Sequence, residues 1–310
     1  MTSATGEQFV LTHQGPSGLF TATITQVGAA LRTFSLGEID LVEPYSADVK
    51  APLCAGQVMA PWVNRLDHGQ WKHNGEVLQN PITIVEQDNA NHGLMLEYIY
   101  DLVSQTESSV TLAGLISPSA GYPFEVLTHV TYSLSGFGLE VTHRAVNKSS
   151  EAAPYATGAH PYFKFSAVDS ADLILTSDAA TLTLVNDRQI PVAEAATAGS
   201  ELDLRDGVRI GDHHIDEDLT GLQRDENGLA HTYLRTSDGR GLDVWQDETF
   251  KHVVIFTPNY FPTVSGGKTS VAAIEPSTAA PNAFNSGRDL LWLEPGVEFL
   301  GRWGVKVFVG

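Results

Sequence analysis

The chain is 310 residues long, 42% hydrophobic and 18% charged, which excludes intrinsic disorder and leaves enough apolar material for a sizeable core. Its 37 acidic and 18 basic residues give a formal net charge of −19, which argues against nucleic acid and anionic membranes as partners and, more weakly, against a phosphorylated substrate. The single cysteine, Cys54, excludes a disulfide scaffold and a Cys-built zinc site and fits a reducing compartment.

Taken in chain order, the predicted elements are strands. Phe20–Ile24 is the first. In 124–134 one face reads Phe124, Val126, Thr128, Val130, Tyr132 and Leu134, while the other carries Glu125, His129 and Ser133. That period of two is a half-buried strand. A glycine-rich turn, 135–138, joins it to a second alternating run, Leu139–Val146, and the pair reads as a hairpin. Further strands are expected at Leu173–Thr176, His231–Arg235, Leu242–Trp245, His252–Phe256 and Gly304–Val309. Only Val192–Ala198 has helix-like composition, stopped by Gly199. Many short strands with turn punctuation and no alternating helices predict an all-β antiparallel sandwich or barrel, read as a single domain over 1–310. The loops 87–95, 149–159 and 199–217 are long enough to carry function.

Met1–Val10 lacks the basic and apolar regions of a signal peptide, and no stretch suits a spanning helix, so a soluble cytoplasmic protein is expected. No phosphate-cradling glycine loop, nucleophile elbow or zincin motif is present.

Context sorts the eleven histidines. His143 alternates in phase with Leu139 and Val141 and reads as an inward structural histidine; His13, His68, His73 and His231 read as surface residues. His160 stands in Gly158-Ala-His-Pro-Tyr-Phe163, where Pro161 restricts its backbone and Tyr162, Phe163 and Phe165 supply aromatic walls. That setting suits either a sugar site or a structural histidine at a strand start. Glu275 follows the apolar run Val271–Ile274 and precedes a Pro-broken loop. A partly desolvated carboxylate there has the raised pKa of a general base, whereas an exposed strand-end acid does not. Asp212-His-His-Ile-Asp216-Glu-Asp218 resembles a metal site, but adjacent histidines on an extended chain diverge, and a solvated acidic loop is the better reading. Asn64-Arg65, after Pro61-Trp62-Val63, suits either sugar hydroxyls or a structural ion pair, and Asn91-His92-Gly93 offers a binding histidine in a polar loop.

Together these segments resemble the aldose 1-epimerase (galactose mutarotase) family, a bacterial subgroup of it. The ordered set is Val27-Gly-Ala-Ala-Leu31, Asn64-Arg65, His92-Gly93, Gly121-Tyr-Pro-Phe124, Gly158-Ala-His-Pro-Tyr-Phe163, Ile274-Glu-Pro, Pro281-Asn-Ala-Phe-Asn285, Leu293-Glu-Pro-Gly296 and Gly301-Arg-Trp-Gly304. The resemblance implies a β-supersandwich of the galactose-mutarotase type and cofactor-free, metal-free interconversion of the α and β anomers of a free aldose. It implies His160 as general acid toward the ring oxygen and Glu275 as general base toward the anomeric hydroxyl. Arg65, His92, Asp216 and Asn64 are implied as substrate binders. The register at Asp216 leaves Asp218 open, because Leu219 stands where the family tends to carry phenylalanine, and the segment after His92 lacks the tryptophan often found there. The implied partner is a small-molecule sugar, with monomer and homodimer both open. The rivals are a non-catalytic sugar binder of the same fold, a hexose-6-phosphate epimerase, which needs more cations, and a two-carboxylate glycosidase.

Overall fold

A computed structural model describes residues 3–309. Alternating hydrophobicity becomes two large antiparallel sheets. The first has nine strands in the order Asp101–Gln105, Ser109–Ile116, Val126–Ser135, Gly138–Asn147, Glu298–Phe308, Gly241–Gln246, Ala230–Arg235, Ile174–Ser177 and Val208–Arg209. The predicted hairpin is its centre, with Val130 opposite His143 and Leu134 opposite Leu139, and every member of the predicted apolar face from Phe124 to Leu134 is buried. The second sheet runs Pro191–Ala196, Thr181–Val185, Asp216–Thr220, His252–Phe256, Ala272–Ser277, Gly158–Ala159 and Val58–Met59, with Tyr162–Phe163 also paired to Ala272–Ser277. A four-stranded sheet, Gln8–Gly15 to Ile39–Asp40, precedes both.

The main core joins the two large sheets. Val130, Val141, Leu242 and Trp303 from the first pack in one cluster with Leu219, Val253, Ile255 and Ile274 from the second. His143 lies within it as expected: Trp303 Nε1 donates to His143 Nε2 at 3.0 Å, and Nδ1 meets the Thr157 hydroxyl at 2.9 Å. Because side chains alternate, Asp216, Asp218, Val254, Phe256 and Glu275 occupy the face of the second sheet turned away from this core. That face carries the candidate site.

Two expectations are corrected. Val192–Ala198 does not form a helix; Pro191–Ala196 is an edge strand paired with Thr181–Val185. A helix that short has too few internal hydrogen bonds to compete with a sheet edge. Of the four histidines expected at the surface only His68 is exposed; His13, His73 and His231 are half-buried, and His231 Nδ1 lies 2.9 Å from Asp243. The only α-helix among the described residues is Ala283–Ser286, and no helix is long and apolar enough to cross a membrane.

Candidate active site

Antiparallel register assembles the floor of the site. Asp216 pairs with Phe256, which pairs with Ala273; Asp218 pairs with Val254, which pairs with Glu275. Glu275 does not end its strand, as its sequence context suggested. The strand continues through Pro276, opposite Val253, to Ser277. Glu275 is therefore held in the middle of a sheet and is only 2% exposed.

His160 crosses above it, between the strands Gly158–Ala159 and Tyr162–Phe163. Both of its backbone groups are fixed: its N–H donates to Gln57 O at 3.1 Å, and its carbonyl accepts from Gly56 N at 2.8 Å. Tyr162 stacks on the imidazole with centroids 5.0 Å apart and planes at 29°. These restraints bring His160 Nε2 to 3.2 Å from Glu275 Oε1. Glu275 Oε2 and His160 Nδ1 are buried without a hydrogen-bond partner.

His92 enters from a strained turn. Its φ is +57° and that of Gly93 is +80°. A Cβ on Gly93 would lie 2.0 Å from the Ala60 carbonyl oxygen, so only glycine fits there. The turn is closed by His92 N–H donating to Asn64 O at 2.9 Å, while Asn64 N–H donates to His92 Nδ1 at 3.2 Å. The second bond places the proton of neutral His92 on Nε2, and its ring lies edge-on to that of His160 at 5.2 Å.

Arg65, on the strand Arg65–Asp67, donates to Asn64 Oδ1 at 3.2 Å, to Gln87 Oε1 at 2.8 Å and to Asp216 Oδ2 at 3.1 Å. It therefore binds a carboxylate within the protein, the structural alternative left open by its sequence context, and in doing so fixes the head of Asp216. Asp218 turns elsewhere. It is buried, accepts from the Thr183 hydroxyl at 2.6 Å and lies 3.0 Å from His252 Nδ1. Of the two acids, Asp216 is the one that lines the cleft.

The six residues singled out, His160, Glu275, Arg65, His92, Asp216 and Asn64, line one cleft of about 220 Å³. Leu53, Cys54, Asn91, Tyr162 and Phe256 complete its wall. Phe256 was not legible from its own context, because only the pairing with Asp216 brings it to the site. Trp62, beside the arginine in sequence, does not line the cleft and packs on Phe284 at 5.8 Å.

Burial sets the electrostatics. It pushes Glu275 well above the carboxylate range, helped by the charge of Asp216 and opposed by Arg65. Burial lowers His160 to about 4, against the influence of its own backbone and with Arg65 adding to the effect, and burial likewise holds His92 well below the usual imidazole range, reinforced by His160 and Arg65. Neither member of the His160–Glu275 pair tolerates an isolated charge, so the favoured form of the pair holds one proton across the 3.2 Å contact. Burial, together with Glu275 and Glu97, raises the Cys54 thiol to about 12, which leaves it a poor nucleophile.

His92, His160 and Glu275 have donor atoms within 4.8 Å of one another, the only such group of His, Cys, Asp and Glu among the described residues. Their chemistry does not suit an ion. His92 Nδ1 is occupied by the Asn64 N–H, its Nε2 carries the proton, and Glu275 resists ionisation. The acidic 212–218 segment gathers no comparable group.

Residues 10–303 match the model of the aldose 1-epimerase family. The chain is 30% identical over 288 residues to the uncharacterized protein YihR of Escherichia coli K12, covering 90% of this chain and 88% of that protein. It is 29% identical over 269 residues to human galactose mutarotase, covering 79% and 76%. In fold it is similar to the GalM/aldose epimerase homologue from C. elegans, with a TM-score of 0.83, 16% identity and coverage of 97% and 98%. Galactose 1-epimerase from Lactobacillus acidophilus gives a TM-score of 0.79 at 20% identity, with coverage of 96% and 94%. The fold, the ordered motifs and this family match agree: the chain belongs to the aldose 1-epimerase family.

Proposed function

We propose that the protein is a cofactor-independent aldose 1-epimerase that interconverts the α and β anomers of a free, uncharged aldose. The observation that carries this reading is the 3.2 Å contact between His160 Nε2 and Glu275 Oε1 in the cleft. The ring oxygen and the anomeric oxygen of an aldose are bonded to the same carbon, so groups that exchange protons with both must be neighbours. A glycosidase pair stands about 5 Å apart or more, to admit a nucleophile or a water, and uses two carboxylates.

In this mechanism His160 donates a proton to the ring oxygen as the C1–O5 bond breaks, and Glu275 accepts the proton of the anomeric hydroxyl. The aldehyde rotates about C1–C2, and reclosure with the two roles reversed delivers the other anomer. The pair begins and ends with one proton between them. Hydrogen bonds from the entering sugar favour the carboxylate form of Glu275 and drive that proton onto His160. His92 Nε2–H and Arg65 act as donors to sugar hydroxyls and Asp216 as an acceptor, while Tyr162 and Phe256 present apolar faces to ring C–H groups. Arg65 is the one Lys or Arg side chain lining the cleft, and it is already engaged by Asp216, which favours a neutral sugar over a phosphorylated one.

The test is polarimetry of freshly dissolved α-D-glucose and α-D-galactose. Catalytic amounts of the protein are expected to speed the approach to an unchanged final rotation. Saturable sugar binding with no change in rate would identify a non-catalytic binder instead.

A further inference from the structure

Three acceptors hold the head of Arg65 where it meets the cleft. Nε donates to Gln87 Oε1 at 2.8 Å, Nη1 to Asn64 Oδ1 at 3.2 Å and Nη2 to Asp216 Oδ2 at 3.1 Å. Asn64 and Asp216 line the cleft themselves, whereas Gln87 does not. A guanidinium has donors and no acceptor, so only the oxygen end of the Gln87 amide can face it. The backbone fixes the approach of that amide. Gln87 ends the short turn Val85–Gln87, which Asp88 closes at a φ of +53°. The chain then enters Asn89–Asn91, which pairs with the strand of Arg65 itself: Asn89 lies opposite Asp67 and Asn91 opposite Arg65. Asn89 has no exposed surface, and its Nδ2 donates to Arg188 O at 2.8 Å.

The pairing of Arg65 with Asp216 is incomplete, and the incompleteness has a cause. Arginine and carboxylate favour two parallel N–H···O bonds, formed side-on through Nε and Nη2 or end-on through Nη1 and Nη2. Asp216 takes one bond, at Nη2. Gln87 holds Nε against the side-on form, and Asn64 holds Nη1 against the end-on form. Each nitrogen of the guanidinium thus gives one N–H to the protein, which leaves one N–H on each of the two terminal nitrogens. Asp216 likewise keeps Oδ1 outside the ion pair. Closure onto two bonds would turn both carboxylate oxygens to the arginine and away from a ligand.

We infer that Gln87 is a positioning residue for sugar binding. It holds Arg65 Nε so that Asp216 cannot close side-on, which keeps the terminal N–H groups of Arg65 and one oxygen of Asp216 available to sugar hydroxyls. This rests on the reading of the cleft as an anomer-exchanging sugar site, and the experiment separates the two. Two substitutions divide the acceptor from the bulk of the side chain. Gln87→Met keeps the length and removes the acceptor, whereas Gln87→Glu keeps an acceptor at the same reach. Gln87 is half-buried on its turn, so both variants are expected to fold, which thermal unfolding checks. Anomer exchange of D-glucose and D-galactose gives kcat and KM, and titration calorimetry gives Kd for the same two sugars.

Gln87→Met is expected to raise KM and Kd about tenfold, the scale of one hydrogen bond to a charged group, and to leave kcat within about twofold. Gln87→Glu should return both constants to within about threefold of the unaltered protein. A merely structural role would lower thermal stability and would not be restored by an acceptor. Unchanged KM and Kd in Gln87→Met, a loss confined to kcat, or equal losses in the two variants would overturn the positioning role while sparing the proposed reaction. Binding that follows the expected pattern without anomer exchange by the unaltered protein would overturn the reaction and uphold the positioning role. Neither binding nor exchange by the unaltered protein would overturn both.

Discussion

Asp218 faces His252 Nδ1 through both carboxylate oxygens, at 3.0 and 3.1 Å, and Asp289 meets Nε2 on the other side at 3.1 Å. His252 has no exposed surface. Burial pushes it down, but the charge and hydrogen bond of Asp218, joined by those of Asp289, outweigh burial and raise it to about 9. At neutral pH it is therefore an imidazolium clamped between two acids, in the same-face row next to the one that holds Asp218, Val254 and Glu275.

This clamp makes stability depend on pH with a defined sign. A group whose folded pKa lies above its unfolded value stabilises fully below the unfolded value and loses that contribution as pH rises through the folded one. The window for His252 runs from 6.5 to about 9. Urea unfolding should thus give a lower free energy at pH 9 than at pH 7, and His252→Gln should remove much of that difference. The variant should also be less stable at pH 7 by about 3–5 kcal/mol, because it strands the buried Asp218. Equal stability of the unaltered protein at pH 7 and pH 9 would rule out a charged clamp.

The His160–Glu275 pair should give activity an unusual pH profile. With His160 lowered to about 4, a second proton binds only in strong acid, so kcat/KM should hold through pH 5 and fall toward pH 4. The alkaline limb should lie well above the ordinary carboxylate range, because Glu275 is raised. Arg65 depresses both groups, so Arg65→Ala should move both limbs upward in its residual activity. An acid limb near 6.5 would contradict the buried neutral pair.

The turn that carries His92 depends on Gly93. Gly93→Ala forces a side chain into the left-handed region and against the Ala60 carbonyl. It should destabilise the protein by about 1–3 kcal/mol or more through strain alone, and displacement of His92 should raise the KM for aldoses. Thermal unfolding and initial-rate kinetics check the two parts separately. A variant with unchanged melting temperature and KM would show that the turn relaxes without cost.

Much of this was legible in the chain, and the physical reasons differ by level. Period-two alternation located the central hairpin, because half-buried strands must alternate. Composition misread 192–198, where a sheet edge decides the outcome. The same periodicity that found the strands could not choose between Asp216 and Asp218, since residues two apart share a face. Their partners separate them: Arg65 takes one and His252 the other, and both contacts are long-range. The meeting of His160 with Glu275 and the entry of Phe256 into the cleft likewise arise from how distant segments pair, which no local pattern encodes.

The most direct test of the central claim is anomer exchange by the unaltered protein, His160→Ala and Glu275→Gln under one set of conditions, with folding checked by circular dichroism. Removing either partner of a proton-transfer pair should slow exchange by about 10²- to 10⁴-fold while leaving the fold intact. A folded variant that exchanges anomers at the unaltered rate would remove that residue from the chemistry and contradict the account.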